Sequence, residues 1–184
     1  MTKIIGIDPS INSTGLCVWD GTTNKYYNIV SKMTKKLQVF ESNHISILSY
    51  NKSEIKDKEY SDKEMAKTTN IYYICKHIQN LLTIHRPDMV IMEGVSYGSV
   101  GSAALVDLSG LNFAIRMILA ETNIPFQIVP PTAVKKFATG NGQAEKDIII
   151  NAWKRLDNNI LNIKDIKVDD LADSYFLAHY EPQA

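Results

Sequence analysis

Lys3-Ile4-Ile5-Gly6-Ile7-Asp8-Pro9-Ser10 is the stretch on which the fold turns. A β-branched, apolar run that stops at Asp-Pro predicts a buried strand followed by a turn. Outward from it, residues 15–19 read as a second strand. Residues 26–31 read as a third, after the turn signal Asp20-Gly21. Together these predict an antiparallel meander. Further along, Ser61 stands three residues before Glu64, the capping-box spacing, and apolar residues recur at Ile71, Ile74, Ile78, Leu81 and Leu82. That periodicity predicts an amphipathic helix ending near Arg86-Pro87. Residues 89–92 form a buried strand that delivers Glu93 at its end, next to the first strand. Helices are expected over residues 102–121, 143–156 and 168–180, with a strand over 126–129 after Pro125. The layout is α/β: a mixed five-stranded sheet flanked by helices, in one domain over residues 1–184. Residues 33–60 carry short apolar pieces interrupted by Lys, Asn and Ser. An inserted hairpin or flap is expected there.

Composition narrows the function classes. A chain of 184 residues with 45% hydrophobic residues can cover one core. Its uninterrupted apolar runs are far shorter than the roughly 20 residues that span a bilayer. No membrane association is expected, and the N-terminus lacks the apolar core of a signal peptide. The expected location is the cytoplasm, a host's if the chain is phage-encoded. Cys17 and Cys75 belong to no zinc-like cluster and read as buried thiols. Twenty basic and 20 acidic residues balance to a net charge of +0, which withholds the basic surplus of many nucleic-acid binders. An acidic site and a basic patch could still cancel in the sum while lying apart in space.

The acids carry the chemistry. Asp8 ends the first strand and Glu93 ends its expected neighbour, so both carboxylates fall at one rim of the sheet. Like charges held there are unfavourable unless a cation lies between them, and hard oxygen ligands suit Mg²⁺. The last helix opens Asp169-Asp170-Leu171-Ala172-Asp173, with Asp170 and Asp173 three apart on one face. N-terminal acids favoured by the helix dipole would account for one or two of these aspartates. They account less well for Asp173, because Leu171, Tyr175 and Ala178 predict a helix packed on the sheet. Four such acids meet the needs of two-metal phosphodiester cleavage, in which ions about 3.5–4 Å apart share a bridging carboxylate. No catalytic histidine is required.

A second group is basic. Gly140 and Gly142 allow a backbone to approach phosphate closely, and Lys146, one turn into the expected helix, adds a point charge. A glycine turn before a solvated helix is the plainer reading. Lys135, Lys136, Lys154 and Arg155 make residues 132–167 locally basic in a neutral chain, which favours a DNA-facing side. His179 is expected to pack on the sheet, and His44, His77 and His85 lack metal-like spacing. The run Gly101, Ser102, Ala103, Ala104, Ser109 and Gly110 allows close packing across a dimer or against the sheet.

With these residues in view, the sequence resembles the RuvC-like Holliday-junction resolvases, including their phage-encoded relatives. Gly6-Ile7-Asp8-Pro9-Ser10 with Ser13-Thr14-Gly15 is similar to the family's first motif, and Val90-Ile91-Met92-Glu93 to its second. Asp170-Leu171-Ala172-Asp173-Ser174 is similar to its last, with Ser174 in the final place. Residues 131–136 and 140–146 resemble its basic segment. The resemblance implies a ribonuclease H-like fold, a homodimer, two Mg²⁺ ions per site with Mn²⁺ as a substitute, and paired nicks across a four-way DNA junction. It implies that Asp8, Glu93, Asp170 and Asp173 are metal ligands and that Lys146 contacts phosphate near the scissile bond. Ser96 stands where some members carry an aromatic that wedges into the junction, so that role passes to Tyr97 or is absent.

Three rival readings stand beside this one. Actin-like and sugar-kinase ATPases open with a similar strand, but they need two such domains and far more chain. A non-catalytic binding module descended from a nuclease would have lost acids that are all here. A nuclease of the same chemistry acting on flaps, forks or other branched intermediates is the serious alternative, because acids set the chemistry while dimer spacing and wedges read the branch.

Overall fold

The computed structural model describes residues 2–39, 41–53, 58–96, 103–160 and 169–181. The opening strand forms as expected: β1 (Ile4–Asp8) pairs antiparallel with β2 (Ser13–Trp19), which pairs antiparallel with β3 (Asn24–Val30). On the other side β1 pairs parallel with β5 (Met89–Glu93), and β5 with β6 (Phe126–Val129). One strand was not foreseen. Residues 45–49 form β4 (Ile45–Ser49), parallel to β3, so the sheet has six strands in the order β4-β3-β2-β1-β5-β6 rather than five. Ile45 and Ile47 alternate inward into the core with Ser46 between them, a period-2 signal too short to stand out before Leu48 breaks it. Of the expected hairpin or flap over residues 33–60, residues 40 and 54–57 lie outside the described residues, and the rest includes a one-turn helix α1 (Lys35–Gln38) and an edge strand in place of a hairpin. The Thr34 side chain caps α1 by accepting from the Leu37 amide at 3.2 Å.

Every strand except β2 runs the same way, so Asp8, Val30, Ser49, Glu93 and Val129 end at one rim of the sheet. Helices cover both faces. α2 (Tyr60–His85) and α3 (Ala103–Glu121) lie on one, over a core of Ile5, Ile7, Leu16, Ile74, Ile78, Met92 and Leu111. α4 (Pro131–Thr139), α5 (Lys146–Leu156) and α6 (Asp169–Ala178) lie on the other, over Cys17, Tyr26, Ile91, Val134 and Trp153. Both cysteines are buried and unpaired. α2 starts before Ser61: Glu59 is its N-cap, without a side-chain bond, and Glu64 pairs with Lys67 at 3.0 Å. The expected capping box is thus absent, since Ser61 is already inside the helix. Arg86 ends α2 in a left-handed conformation, φ 47°.

α3 is long and apolar enough to cross a membrane by length and composition alone. One of its faces packs against the sheet and α2 through Leu111, Ile115 and Leu119. The opposite stripe, Val106, Phe113 and Met117, is exposed.

Two glycines set how α6 lies. A Cβ on Gly6 would sit 2.1 Å from the Ser174 carbonyl oxygen, and one on Gly15 would sit 2.1 Å from that of Asp170. The last helix therefore rests its backbone directly on β1 and β2, at positions where no side chain intervenes.

Candidate active site

Four acids expected at the site come from three elements and meet at the strand-end rim. Asp8 closes β1 opposite Gly15, and Glu93 closes β5 one step beyond the pair Ile7–Met92. Asp170 and Asp173 stand in the first turns of α6, and the contact at Gly15 sets them down beside Asp8. Leu171, Tyr175 and Ala178 are buried, as their apolar spacing predicts. The loop after β1 is clamped from within: the Thr14 hydroxyl donates to the Ser10 carbonyl at 2.6 Å and accepts from the Ser10 amide at 3.1 Å. On the far side, the Asn112 amide of α3 donates to the Glu93 carbonyl at 2.9 Å and fixes the end of β5.

Mutual repulsion marks the cluster. Asp8 is only 8% exposed, and burial, then Glu93, Asp170 and Asp173, push its carboxyl well above the usual range. Burial, together with the Asp173 charge, raises Glu93 to about 7. Burial likewise raises Asp170 to about 7 and Asp173 to about 6, with Asp169 adding repulsion to both. Asp8 and Glu93 are held close enough for each to act on the other's carboxyl, and the buried cluster disfavours carrying all its charges at once. These groups fit a divalent-cation site: all donors are hard oxygens, and a cation would relieve the repulsion among them. Among the described residues no group of three His, Cys, Asp or Glu is gathered as a ready-made cation site.

The lysines are placed differently from expectation. α5 begins at Lys146, not at residue 143, because Asn141 holds residues 141–144 in a turn through its side chain and carbonyl. Lys146 is therefore the first helical residue rather than one turn in. Its ammonium pairs with Asp169 and feels Asp170 and Asp173. Asp169, expected only to favour the helix start, is thus tied to the site as well. Lys135 on α4 is half-buried and close enough to lower both Glu93 and Asp173, so it belongs beside the acids rather than at a distance. Lys136, next along, is exposed. Gly140 ends α4 in a left-handed turn, φ 79°, and Gly142 packs against the Thr132 carbonyl. Both glycines thus have structural duties where they stand. Tyr97 lies outside the described residues.

Sequence reasoning gave no role to Ser13 or Asn28. The Ser13 hydroxyl donates to the Asn28 carbonyl oxygen at 3.1 Å, and Ser13 draws the Asp170 carboxyl down against the burial that raises it. Ser13 lay inside a motif already singled out; Asn28, an amide among the apolar residues of β3, was the available signal. His85 bonds the Tyr27 hydroxyl at 2.7 Å, and His179 stacks on Tyr175 at 4.2 Å, both packing roles.

Comparison with known proteins agrees over nearly the whole chain. The family model of crossover junction endodeoxyribonuclease RuvC matches residues 4–179. The enzyme of that name from Aliarcobacter butzleri is 28% identical over 177 residues, covering 96% of this chain and 95% of its own. That from Ehrlichia ruminantium is 29% identical over 178 residues, covering 96% and 93%. Among solved structures, Thermus thermophilus RuvC in complex with a Holliday junction superposes with a TM-score of 0.61 at 18% identity, covering 97% of this chain and 91% of that one. The yeast mitochondrial Holliday junction resolvase gives 0.51 at 13% identity, covering 96% and 77%. The fold is ribonuclease H-like.

Proposed function

Because the chain belongs to the crossover junction endodeoxyribonuclease RuvC family, we propose that it resolves four-way DNA junctions by metal-dependent hydrolysis of phosphodiesters. The observation that carries this reading is the convergence of Asp8, Glu93, Asp170 and Asp173 at one rim, with Lys135 and Lys146 beside them. The four acids would hold two Mg²⁺ ions, for which Mn²⁺ would substitute. When bound, such ions supply an activated water and charge stabilisation at the leaving oxygen.

The chain's own groups do the rest. Asp8 and Glu93, fixed by paired strands, form the rigid side of the site, and Asp170 and Asp173 on α6 form the other. Lys146 is held near the acids by Asp169, from which it can turn to an incoming phosphate oxygen. A cation there helps most as charge develops during cleavage. Lys136, Gly140 and Gly142 extend this side for DNA backbone contact, and Tyr97 follows Glu93 closely enough in sequence to serve as the junction wedge.

Two matched cuts need two sites, and two-fold symmetry in the junction is most simply met by a homodimer. The stripe Val106, Gly110, Phe113 and Met117 supports this: its members are spaced four, three and four residues apart on α3, and Phe113 is 54% exposed. This moves the expected dimer surface from residues 102–110 toward the middle of the helix. We take the whole chain as one nuclease domain, working in the cytoplasm, a host's if phage-encoded.

The test is cleavage of matched four-way, three-way, flap and linear substrates in Mg²⁺, with nicks mapped on every strand and mass measured by light scattering. Paired, symmetric nicks confined to four-way junctions by a dimer are expected. A monomer that cuts flaps or forks as readily would leave the branched-DNA nuclease of the same chemistry in its place. Asp8→Asn, Glu93→Gln, Asp170→Asn and Asp173→Asn should each lower the rate by on the order of 10³-fold with junction binding retained. Any variant near the wild-type rate removes that residue from the site.

A further inference from the structure

On the side of Asp8 away from Glu93, three chain segments meet at the same rim of the sheet. They are residues 9–12 after β1, residues 31–32 after β3 and residues 50–52 after β4. Backbone bonds lace them together: the Ser31 amide donates to the Asn12 carbonyl at 2.9 Å, and the Lys52 amide donates to the Ser31 carbonyl at 2.8 Å. Tyr50, itself buried, adds a hydroxyl that donates to the Ile11 carbonyl. Asn51 turns the chain back through a left-handed conformation, φ 52°, which asparagine adopts more readily than most residues. The chain leaving β4 is thereby tied to the chain leaving β1.

This lacing sets down positive charge without a counterion. Residues 31–52 contain Lys32, Lys35, Lys36 and Lys52 against one acid, Glu41, in a chain whose net charge is +0. All four lysines are exposed, and none forms an ion pair among the described residues. Lys52 is instead held by a neutral group, its ammonium donating to Asn12 Oδ1 at 2.9 Å. Such a bond fixes where the charge stands without cancelling it. Lys32 follows the laced Ser31 directly. Lys35 and Lys36 open α1, and Met33 and Leu37, packed on the core, anchor that segment.

Fixed and uncompensated cations suit the phosphates of DNA. Neighbouring strands lie about 4.8 Å apart, so β3 and β4 stand roughly 10 and 14 Å from β1 across the sheet. A DNA strand advances about 3.4 Å per nucleotide, which makes that span roughly three to four nucleotides. We propose that Lys32 and Lys52, with Lys35 and Lys36 behind them, form a second DNA contact, gripping backbone phosphates of a junction arm about three to four nucleotides from the cut bond. The proposal rests on the nuclease reading above, which supplies the DNA. It shares no residue or element with the basic set on α4 and α5.

Binding to a four-way junction in EDTA, where nothing is cut, tests this through its salt dependence. Each phosphate contact adds about 0.9 to the slope of log affinity against log salt. Between about 50 and 200 mM salt the wild type should therefore lose roughly 12-fold more affinity than the double variant Lys32→Ala with Lys52→Ala. Lys32→Ala alone, which breaks no side-chain bond to the loop after β1, should give about half of that change in slope. Neutral methylphosphonates placed about three to five nucleotides from the mapped cut should weaken wild-type binding and leave the double variant unmoved. A wild-type slope in the double variant, a slope that falls with Lys52→Ala but not with Lys32→Ala, or equal sensitivity of both proteins to the methylphosphonates would overturn the proposal. Failure of the nuclease reading looks different: the wild type would then leave every branched substrate uncut in Mg²⁺, and the slopes in EDTA would still decide the role of the lysines.

Discussion

Gly15→Ala adds a single methyl group and should strike the site from beneath. Gly15 has no positive φ, so the strand backbone itself accepts alanine. The obstacle is α6: the new Cβ would lie 2.1 Å from the Asp170 carbonyl oxygen, 2.5 Å from its carbonyl carbon and 3.0 Å from its Cβ. Ordinary contact begins at 3.4 Å, so the start of α6 must lift by about 1.3 Å. Overpacking of this kind costs about 1–3 kcal/mol, or roughly 3–10 °C in Tm for a domain of this size. The rate should suffer more than the stability. A displacement of about 1 Å in a catalytic group can cost 10²-fold, and here Asp170 and Asp173 move together relative to Asp8 and Glu93. Junction cleavage in Mg²⁺ should therefore fall about 10²-fold at a temperature well below the variant's Tm, with Mn²⁺ affinity falling alongside. Cleavage and affinity within a factor of three of wild type would show that α6 does not need its seat on β2 to build the site.

Three further outcomes follow from the charges. Asp8, Glu93, Asp170 and Asp173 have carboxyls raised above the ordinary range of about 4. The folded, cation-free protein thus holds more protons than the unfolded chain between about pH 4 and 7, and their contribution to stability is lost as pH rises through that window. The half-buried histidines His77, His85 and His179 are lowered and act in the opposite sense. The decisive measurement is the difference in Tm with and without saturating Mg²⁺, which should widen from pH 5 to pH 8; a constant difference refutes it. Lys146→Ala and Lys135→Ala should both slow cleavage more than they weaken DNA binding. Lys136→Ala should instead weaken binding and flatten its salt dependence, and equal binding losses in all three would erase the distinction. Asp169→Asn frees Lys146 and removes a charge that raises Asp170 and Asp173, so Mn²⁺ should bind this variant at lower pH than wild type; an unchanged pH profile of binding argues against that coupling.

The sequence carried the frame of acids proposed for the site because its signals are local. A β-branched run ending in Asp8, another ending in Glu93, and two aspartates three apart on an otherwise apolar helix each announce themselves within ten residues. What was hidden depends on long-range packing. β4 was missed because Ser46 and Ser49 dilute its apolar alternation, and only the neighbouring β3 makes it a strand. α4 opens on Pro131, with Pro130 as its N-cap, and is nine residues long, too short for periodicity to stand out from its basic character. The start of α5 was placed too early because the Asx turn at Asn141 looks like a helix start until its hydrogen bonds are seen. The places of Lys135 and Asp169 follow from how α4, α5 and α6 meet, which no window along the chain contains.

The seating of α6 on β1 and β2 has a consequence for how the protein is born. Asp8 leaves the ribosome well before α6, and the strands around it can begin to pair while the chain is still growing, yet two of the four acids proposed as ligands arrive more than 160 residues later. A nascent or prematurely terminated chain that stops short of α6 carries two of the four carboxylates and has an uncovered trough where Gly6 and Gly15 lie bare. Such a fragment lacks two of the four acids proposed as cation ligands and leaves that trough open. On the reading proposed above, the capacity to cut DNA arises only when α6 docks.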